Sequence, residues 1–275
     1  MDKTTKKIKI LFKERLNIDI SIYDSVFINK IIKKRATEKD IVFFEDYIKI
    51  LDSNTDELYE LNNLFHINYS FFFRNNLTFA FLNSIILPEL LKSKSLDNQP
   101  LRIWSAGCAA GEEPYSIAIL LIELQKKFDL NVPINFIATD IDDKSLEIAR
   151  KGNYNKSLLL NVKLKYLEKY FNVESNAYSI IDTVKKMIVF EKYDITSNRS
   201  FAPPGSIFGN FDLISCRNVL IYMSQEYQNV IFDKIHKALE KDGILLLGKS
   251  EFIPNLYKNY FEKINSYCPL YRKTS

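Results

Sequence analysis

Two adjacent acidic residues, Glu112 and Glu113, follow a turn of small residues and open an apolar helix. The turn, residues 107–111, has no bulky side chain, so a ligand can approach its backbone closely. Before it, residues 101–104 have the apolar pattern of a buried strand. A phosphate-binding turn presents bare N–H groups to an anion, whereas two carboxylates in this place would repel pyrophosphate. The stretch therefore predicts a nucleoside-like cofactor that carries an ammonium group and no phosphate, a description that S-adenosylmethionine (SAM) satisfies.

A second apolar segment, residues 134–139, ends in Asp140 and Ile141. An acidic residue at the end of the second strand of a Rossmann-like unit is placed to accept both ribose hydroxyls. Two plainer interpretations stay open. The turn of small residues could be close packing alone, and an acidic residue after a strand often caps the next helix, a role that Asp142 or Asp143 could also fill.

The composition excludes several classes of protein. The chain has 275 residues, 47% of them apolar and 26% charged, which is typical of a globular protein. Two histidines and three widely spaced cysteines give no metal site, no histidine-based triad and no disulfide framework. A net charge of +4 does not demand nucleic acid. No segment approaches the ~20 apolar residues of a membrane span, so we expect a cytoplasmic protein that does not insert into membranes.

The order of elements predicts an α/β fold behind a helical region. Residues 1 to about 66 follow a helical period in short segments. Further on, apolar runs typical of buried strands alternate with helical patterns, and alternation of this kind produces a parallel sheet. The predicted strands include residues 211–216 and 243–247, followed by a final pair at 260–264 and 268–272, one of them antiparallel.

Five separated motifs resemble the chemotaxis receptor methyltransferases of the CheR family, which esterify glutamates on chemoreceptors. They occur in the family's order, and the resemblance covers roughly residues 20 to 272. The motifs are residues 68–74 (NYSFFFR), 104–116 (WSAGCAAGEEPYS), 138–142 (ATDID), 216–222 (CRNVLIY) and 248–251 (GKSE).

The resemblance implies a Rossmann-like class I methyltransferase sheet, an N-terminal all-helical domain over residues 1–76, and a SAM-binding domain over residues 77–275. A small antiparallel β insertion is expected at about residues 153–190. The implied reaction transfers methyl from SAM to glutamates on the cytoplasmic helical bundle of a chemoreceptor and leaves S-adenosylhomocysteine. We expect a monomer.

The resemblance also implies roles for particular residues. Arg74 and Tyr222 are expected near the methyl group, although Tyr222 could equally be a packing residue. Ser70 stands where the family has Thr, and Lys249 where it commonly has His. The residues implied to bind the cofactor are Asn68, Ser70, Arg74, Gly107, Glu113, Asp140, Ile141, Asp194, Ile195, Asn218 and Val219.

Three lysines, Lys30, Lys33 and Lys34, share one face of a predicted helix whose opposite face is apolar. In the resembling family the N-terminal helices engage the receptor, whose methylation sites are rich in acidic residues. The lysines are therefore candidates for binding the substrate. A solvated helix face is the alternative.

The small number of histidines is compatible with this reaction. A glutamate side chain, whose ordinary pKa is about 4.3, is already ionised at neutral pH and needs no general base. Two rivals stay open: an N-methyltransferase, and a cofactor-sensing regulatory module with another partner. Members of the resembling family that are tethered by a receptor pentapeptide carry a glycine-bearing insertion in the small sheet. Residues 171–190 contain none, so we expect no need for a tether.

Overall fold

In a computed structural model, residues 3–65, 69–174, 177–197, 200–206 and 209–274 are described. By packing, the chain divides into two units. The first comprises Met1–Ile67 with Leu220–Val230, and the second comprises Asn68–Val219 with Ile231–Ser275. We expected the division after residue 76. Residues 69–76 belong instead to the second unit, because Phe72 and Phe73 are buried in its core.

The first unit is helical, as the period of its sequence predicts. Its apolar residues form one core, which includes Phe12, Ile28, Ile32 and Tyr47. Asp24 begins the second helix by accepting a hydrogen bond from the backbone N–H of Val26 at 2.7 Å. The helices are α1 (Lys3–Leu16), α2 (Ser25–Glu38), α3 (Phe44–Ser53) and α4 (Thr55–Asn63).

A buried carboxylate, Glu57, joins three of these helices. It accepts hydrogen bonds from Arg35 Nε at 2.8 Å and from the Tyr47 hydroxyl at 2.8 Å, and it pairs with Lys39 Nζ at 2.9 Å. Burial alone would raise the pKa of Glu57, but these partners outweigh it and lower the pKa to about 2. The charge of Glu57 therefore stabilises the helical unit.

The second unit is built on a seven-stranded sheet in the order β6-β2-β1-β7-β8-β10-β9. The pairs β6–β2, β2–β1, β1–β7 and β7–β8 are parallel, and β10 is antiparallel to both of its neighbours. The strands are β1 (Leu101–Ala106), β2 (Ile134–Asp140), β6 (Ile188–Lys192), β7 (Phe211–Cys216), β8 (Leu239–Leu247), β9 (Phe261–Lys263) and β10 (Leu270–Lys273).

The strand order reverses beside β1, which lies between β2 and β7. In open parallel sheets, ligands bind at the carboxyl ends of the strands where the order reverses. The helices of this unit are α5 (Asn76–Phe81), α6 (Leu87–Leu96), α7 (Glu112–Phe128), α8 (Asp143–Lys151), α9 (Leu164–Tyr170) and α10 (Asp182–Lys185), and a π-helical turn, Leu82–Ile86, joins α5 to α6. The last helix, α11 (Gln225–Ala238), begins in the first unit and continues into the second after Val230. The α/β fold predicted from the sequence is confirmed.

The small antiparallel sheet is present but shorter than we expected. It contains β3 (Asn153–Asn155), β4 (Phe171–Glu174) and β5 (Ala177–Ile180), in the order β3-β5-β4. The expected insertion extended to residue 190. Residues 188–192 pair instead with β2, from Phe136↔Ile188 to Asp140↔Lys192, and form an edge of the main sheet. Within the described residues, no helix combines the length and the apolar character that crossing a bilayer requires.

We predict that Glu57→Gln destabilises the helical unit by about 3 kcal/mol, because it removes one partner of a buried ion pair. The pKa of Glu57 is lowered in the folded state, so its contribution is fully present above the ordinary pKa of 4.5 and is lost as the pH falls through about 2. Amide hydrogen exchange in α2, α3 and α4 measures the effect.

Glu38→Gln is the matched control. Glu38 also pairs with Arg35, at 3.6 Å, but its side chain is 42% exposed, and exposed pairs contribute about 0–1 kcal/mol. Equal exchange rates in the two variants would show that the buried pair does not stabilise the unit.

Candidate functional site

The turn after β1 has a backbone that favours glycine. Gly107, Ala109 and Gly111 all have positive φ, of 70°, 48° and 92°. A Cβ added to Gly107 would overlap the side chain of Val219, so no larger residue fits there without movement. The turn after β1 and the loop after β7 therefore meet at the switch point, and two residues that we assigned to the cofactor, Gly107 and Val219, lie side by side.

Asp140, at the end of β2, supports this turn. Its Oδ2 accepts a hydrogen bond from the backbone N–H of Ala109 at 2.8 Å, and its Oδ1 accepts one from the backbone N–H of Asp142 at 3.0 Å. Burial raises the pKa of Asp140. A carboxylate has about four acceptor positions, so two remain for hydroxyl groups of a ligand.

The question of which acid caps α8 is answered by Asp142. Its side chain accepts hydrogen bonds from the backbone N–H groups of Lys144 and Ser145. Asp140 does not cap α8; its carboxylate binds the turn after β1 instead. The exposed side chain of Ile141 adds an apolar surface directly after it.

Glu113 forms a buried ion pair that we did not predict. Its Oε2 lies 2.8 Å from Nη1 of Arg217, whose side chain is 2% exposed, and its Oε1 accepts from the Ser105 hydroxyl at 3.0 Å. Arg217 also donates through Nη2 to the backbone carbonyl of Arg74 at 2.9 Å. The one signal in the sequence is an arginine placed directly after a buried strand. Arg217 thus connects β7, α7 and the loop before α5.

The neighbouring Glu112 has a different environment. It is 2% exposed, and its Oε2 has no hydrogen-bond partner among the residues that the structure describes. Burial, helped by the charge of Glu113, raises the pKa of Glu112 to about 7. The two glutamates at the start of α7 are therefore not equivalent: Glu113 is ion-paired, whereas Glu112 is easily neutralised.

The loop at residues 69–75 carries the predicted residues Ser70 and Arg74; Asn68, assigned to the cofactor with them, lies outside the described residues. The guanidinium of Arg74 donates to the backbone carbonyl of Tyr69 at 3.1 Å and lies 5.8 Å from the Phe71 ring centre. Ser70 and Ala110 line the same groove, of about 560 Å³. This loop therefore lies beside the turn at residues 107–111, which the sequence predicts to bind the cofactor.

The anchor of this loop is α7. The backbone N–H of Phe73 donates to the Ser116 hydroxyl at 3.0 Å, and that hydroxyl donates to the carbonyl of Glu112 at 2.6 Å. Phe73 itself has a φ of 54°, an uncommon value for a bulky residue. The loop is thus fixed by its backbone as well as by its buried rings.

The turn after β7, which includes Asn218 and Val219, is held by a carboxylate. Glu251 is 3% exposed and accepts hydrogen bonds from the backbone N–H groups of Asn218, Val219 and Gly248, at 2.8, 2.8 and 2.6 Å. A Cβ on Gly248 would come within 2.6 Å of Glu251 Oε2. We missed this role of Glu251, although it belongs to the last of the five motifs. Lys249, in the same motif, is exposed.

Asp194 and Ile195 follow β6, the neighbour of β2. The backbone N–H of Tyr193 donates to the carbonyl of Asp140 at 3.0 Å, so this segment runs beside the proposed ribose site. Oδ1 of Asp194 accepts from the N–H and the hydroxyl of Thr196, at 2.8 and 2.6 Å. Ile195 is buried. The residue that we expected at the ribose and two more of the predicted cofactor-binding residues are therefore at adjacent strand ends.

Tyr222 belongs to the helical unit. It ends the 3-10 turn Leu220–Tyr222, its ring centre lies 4.8 Å from that of Phe27, and its carbonyl accepts from the N–H of Asp24 at 2.9 Å. It therefore has the packing role that the sequence left open, and its catalytic role stays a prediction. Lys30, Lys33 and Lys34 are exposed on α2, opposite the buried Ile28, Ile31 and Ile32.

These residues fit SAM better than a phosphorylated cofactor. Gly107 packs against the Val219 side chain, and carboxylates, which suit hydroxyl, amino and ammonium groups, line the strand ends. Within the described ranges, no group of three or more His, Cys, Asp or Glu side chains could hold a metal ion.

Comparison with known proteins agrees with this chemistry. A family model described as "CheR methyltransferase, SAM binding domain" matches residues 68–268. A chemotaxis protein methyltransferase of Borreliella burgdorferi is 35% identical over 257 residues, which cover 92% of this chain and 88% of that protein. A chemotaxis protein methyltransferase of Listeria innocua is 30% identical, covering 88% and 87%. An uncharacterized 104.1 kDa protein of Rhodobacter capsulatus is 28% identical, covering 83% of this chain and 23% of that protein. SAM is the cofactor, as the sequence predicted.

We predict that Glu251→Gln weakens binding of S-adenosylhomocysteine about 10-fold or more. An amide offers one acceptor oxygen and turns an NH₂ group toward backbone donors, so the turn at Asn218 loses at least one charge-assisted hydrogen bond worth about 1.5–3 kcal/mol. Isothermal titration calorimetry measures the affinity. Glu262→Gln, an exposed change on β9, is the control. Unchanged affinity in the Glu251 variant would limit this residue to holding the fold.

Proposed function

We propose, since the chain belongs to the CheR methyltransferase family, that it transfers the methyl group of SAM to glutamate side chains on the cytoplasmic helical bundle of methyl-accepting chemoreceptors. The observation that carries the proposal is the similarity to chemotaxis protein methyltransferases over most of the chain. The site adds support, because its described residues bind and orient without forming a base–nucleophile pair.

The reaction needs alignment more than proton transfer. Bound SAM supplies an electrophilic methyl group on a sulfonium sulfur. A glutamate carboxylate, with an ordinary pKa of about 4.3, is ionised at neutral pH, so its oxygen can attack the methyl carbon while the carbon–sulfur bond breaks. Holding the reacting atoms in line contributes up to about 7–11 kcal/mol. The chain's part is therefore to fix the cofactor and exclude water.

We assign different parts of the cofactor to residues at the ends of different strands. We assign the ribose hydroxyls to Asp140, whose carboxylate is fixed by two backbone N–H groups. Asp194 and Ile195, with Ile141, are assigned to adenine, because they lie beside Asp140 at the ends of β6 and β2. We assign the turns that contain Gly107, Asn218 and Val219 to the backbone that the cofactor contacts.

The methionine end is assigned to Glu113 and the loop with Asn68, Ser70 and Arg74. Glu113 keeps acceptor positions for an ammonium group after its bonds to Arg217 and Ser105. We assign the methionine carboxylate to Arg74, since a guanidinium can bind a carboxylate through two parallel hydrogen bonds. Tyr222 remains a candidate for orienting the substrate carboxylate.

We predict that Arg74→Ala weakens S-adenosylhomocysteine binding by roughly 1.5–3 kcal/mol and barely changes methylthioadenosine binding. Only the first ligand carries the carboxylate. Arg74→Lys should recover part of the loss, because a point charge cannot replace the planar guanidinium. Calorimetry with both ligands measures this. If both bind the variant normally while turnover collapses, Arg74 orients the substrate glutamate instead.

The helical unit is assigned to the receptor. Lys30, Lys33 and Lys34 form an exposed cationic face on α2, and Lys34 makes one exposed pair, with Glu38 at 3.9 Å. Such a face can attract an acidic helical bundle by long-range electrostatics, an effect that salt screens.

We predict that exchanging Lys30, Lys33 and Lys34 for Glu raises the KM for the receptor several-fold at low salt and leaves cofactor affinity alone. The same exchange at Lys6, Lys9 and Lys13 of α1 controls for net charge. Steady-state kinetics at two ionic strengths measure the change. Equal kinetics in the two triple variants would assign the α2 lysines to an ordinary solvated face.

We further propose that the enzyme acts in the cytoplasm as a monomer, where the receptor bundle is accessible, without a receptor pentapeptide tether. The last point rests on the small sheet. In the family, tethered members carry a glycine there, whereas residues 171–190 have none.

The decisive experiment is the chemical nature of the product. We predict that methyl groups transferred from labelled SAM to receptor-containing membranes are released as methanol in mild alkali, as carboxyl esters are and N-methyl groups are not. Heat-inactivated enzyme is the control. An alkali-stable label would make the chain an N-methyltransferase, and cofactor binding with no acceptor in the membranes would favour a regulatory module.

A further inference from the structure

A buried lysine lies behind the segment that follows β6. Lys234, on α11, is 4% exposed. Its Nζ donates to the backbone carbonyl of Ser197 and lies 3.3 Å from the Tyr193 hydroxyl. The same ammonium group is 5.2 Å from the centre of the Tyr193 ring. A lysine is almost never buried without such partners.

Tyr193 connects this lysine to the cofactor side of the sheet. Its hydroxyl donates to the carbonyl of Ser200 at 2.9 Å, and its backbone N–H donates to the carbonyl of Asp140 at 3.0 Å. Its ring packs edge-on against Trp104 at 5.9 Å. One ammonium group thus fixes both sides of the turn that carries Asp194.

Charge supports the same arrangement. Burial lowers the pKa of Lys234, whereas the charges of Asp194 and Asp233 oppose that change and favour the ammonium ion. Asp194 is therefore the acid of the turn that interacts with this cation. Its Oδ1 is occupied by Thr196, which orients the carboxylate.

We propose that Lys234 is a positioning residue for adenine recognition: it holds the turn at Tyr193–Ser197 so that the Asp194 carboxylate accepts a hydrogen bond from the 6-amino group of the cofactor. This deepens the proposed role of Asp194 and rests on it. The site then distinguishes adenine from a 6-oxopurine, because a carboxylate attracts an amino group and repels a carbonyl oxygen.

The test compares S-adenosylhomocysteine with S-inosylhomocysteine, in which a carbonyl oxygen replaces the 6-amino group and N1 carries a hydrogen. Calorimetry gives both affinities without a methyl acceptor, so the result is independent of the substrate proposal. In the wild-type protein we expect the adenosyl ligand to bind at least about 10-fold more tightly, the effect of one hydrogen bond to a charged group.

Lys234→Met keeps an unbranched side chain and removes the charge. We expect it to weaken the adenosyl ligand about 10-fold and the inosyl ligand less than about 3-fold, so that the discrimination falls. Lys237→Met is the matched control, since Lys237 lies one turn further along α11 and makes only an exposed pair with Asp233 at 2.7 Å. Tyr193→Phe removes only the hydroxyl and should lower the discrimination about 3-fold, which keeps the test open if the lysine variant does not fold.

Two results would overturn the proposal. Equal binding of both ligands by the wild-type protein would show that Asp194 does not read the 6-amino group. A loss of affinity in Lys234→Met that is the same for both ligands, with Tyr193→Phe leaving their ratio unchanged, would reduce Lys234 to general support of the fold.

Discussion

The site depends on the buried ion pair between Glu113 and Arg217. The Arg217 side chain is 2% exposed and that of Glu113 13%, so either charge would be left buried without its partner if the other were removed. Removing one partner of such a pair typically destabilises the folded state by about 3–5 kcal/mol. The pair joins α7 to the end of β7; Ser105 donates a further hydrogen bond to Glu113, and Arg217 donates one to the carbonyl of Arg74. Arg217, which is distant in the chain, thus fixes the backbone of the loop at residues 69–75. This loop carries Arg74, the residue that we assign to the methionine carboxylate.

Carboxylates that bind backbone N–H groups shape the rest of the site. Asp140 fixes the turn after β1, Asp142 caps α8, and Glu251 fixes the turns after β7 and β8. Parallel strands end at one edge of the sheet, where their turns leave N–H groups without partners in the ladder. Acidic residues supply those partners. The acidic character that suggests SAM is therefore partly structural, and Glu113 and Asp140 have structural partners besides the roles in SAM binding that we propose for them.

The sequence predicts what depends on local pattern and misses what depends on distant pairing. Apolar runs locate the strands of the main sheet, and the small residues at 107–111 locate the cofactor turn. The partner of residues 188–192 could not be read in this way, because a short edge strand has the same pattern in either sheet and only the register against Phe136 decides it. Arg217 and Glu251 were missed as site residues for a similar reason. Apart from the nearby Gly248, the groups that they bind lie 32 to 143 positions away in the chain.

The same charges bear on how an acidic site could admit the anionic substrate that we propose. Glu113 is neutralised by Arg217, and Glu251 is surrounded by three N–H groups. Burial raises the pKa of Glu112 to about 7, so this group carries a negative charge less readily than an exposed acid. What remains of the negative potential attracts the sulfonium and ammonium groups of SAM, whose binding adds positive charge. The glutamate carboxylate that we propose as the substrate would therefore meet a less negative site after the cofactor than before it, which favours binding of SAM first.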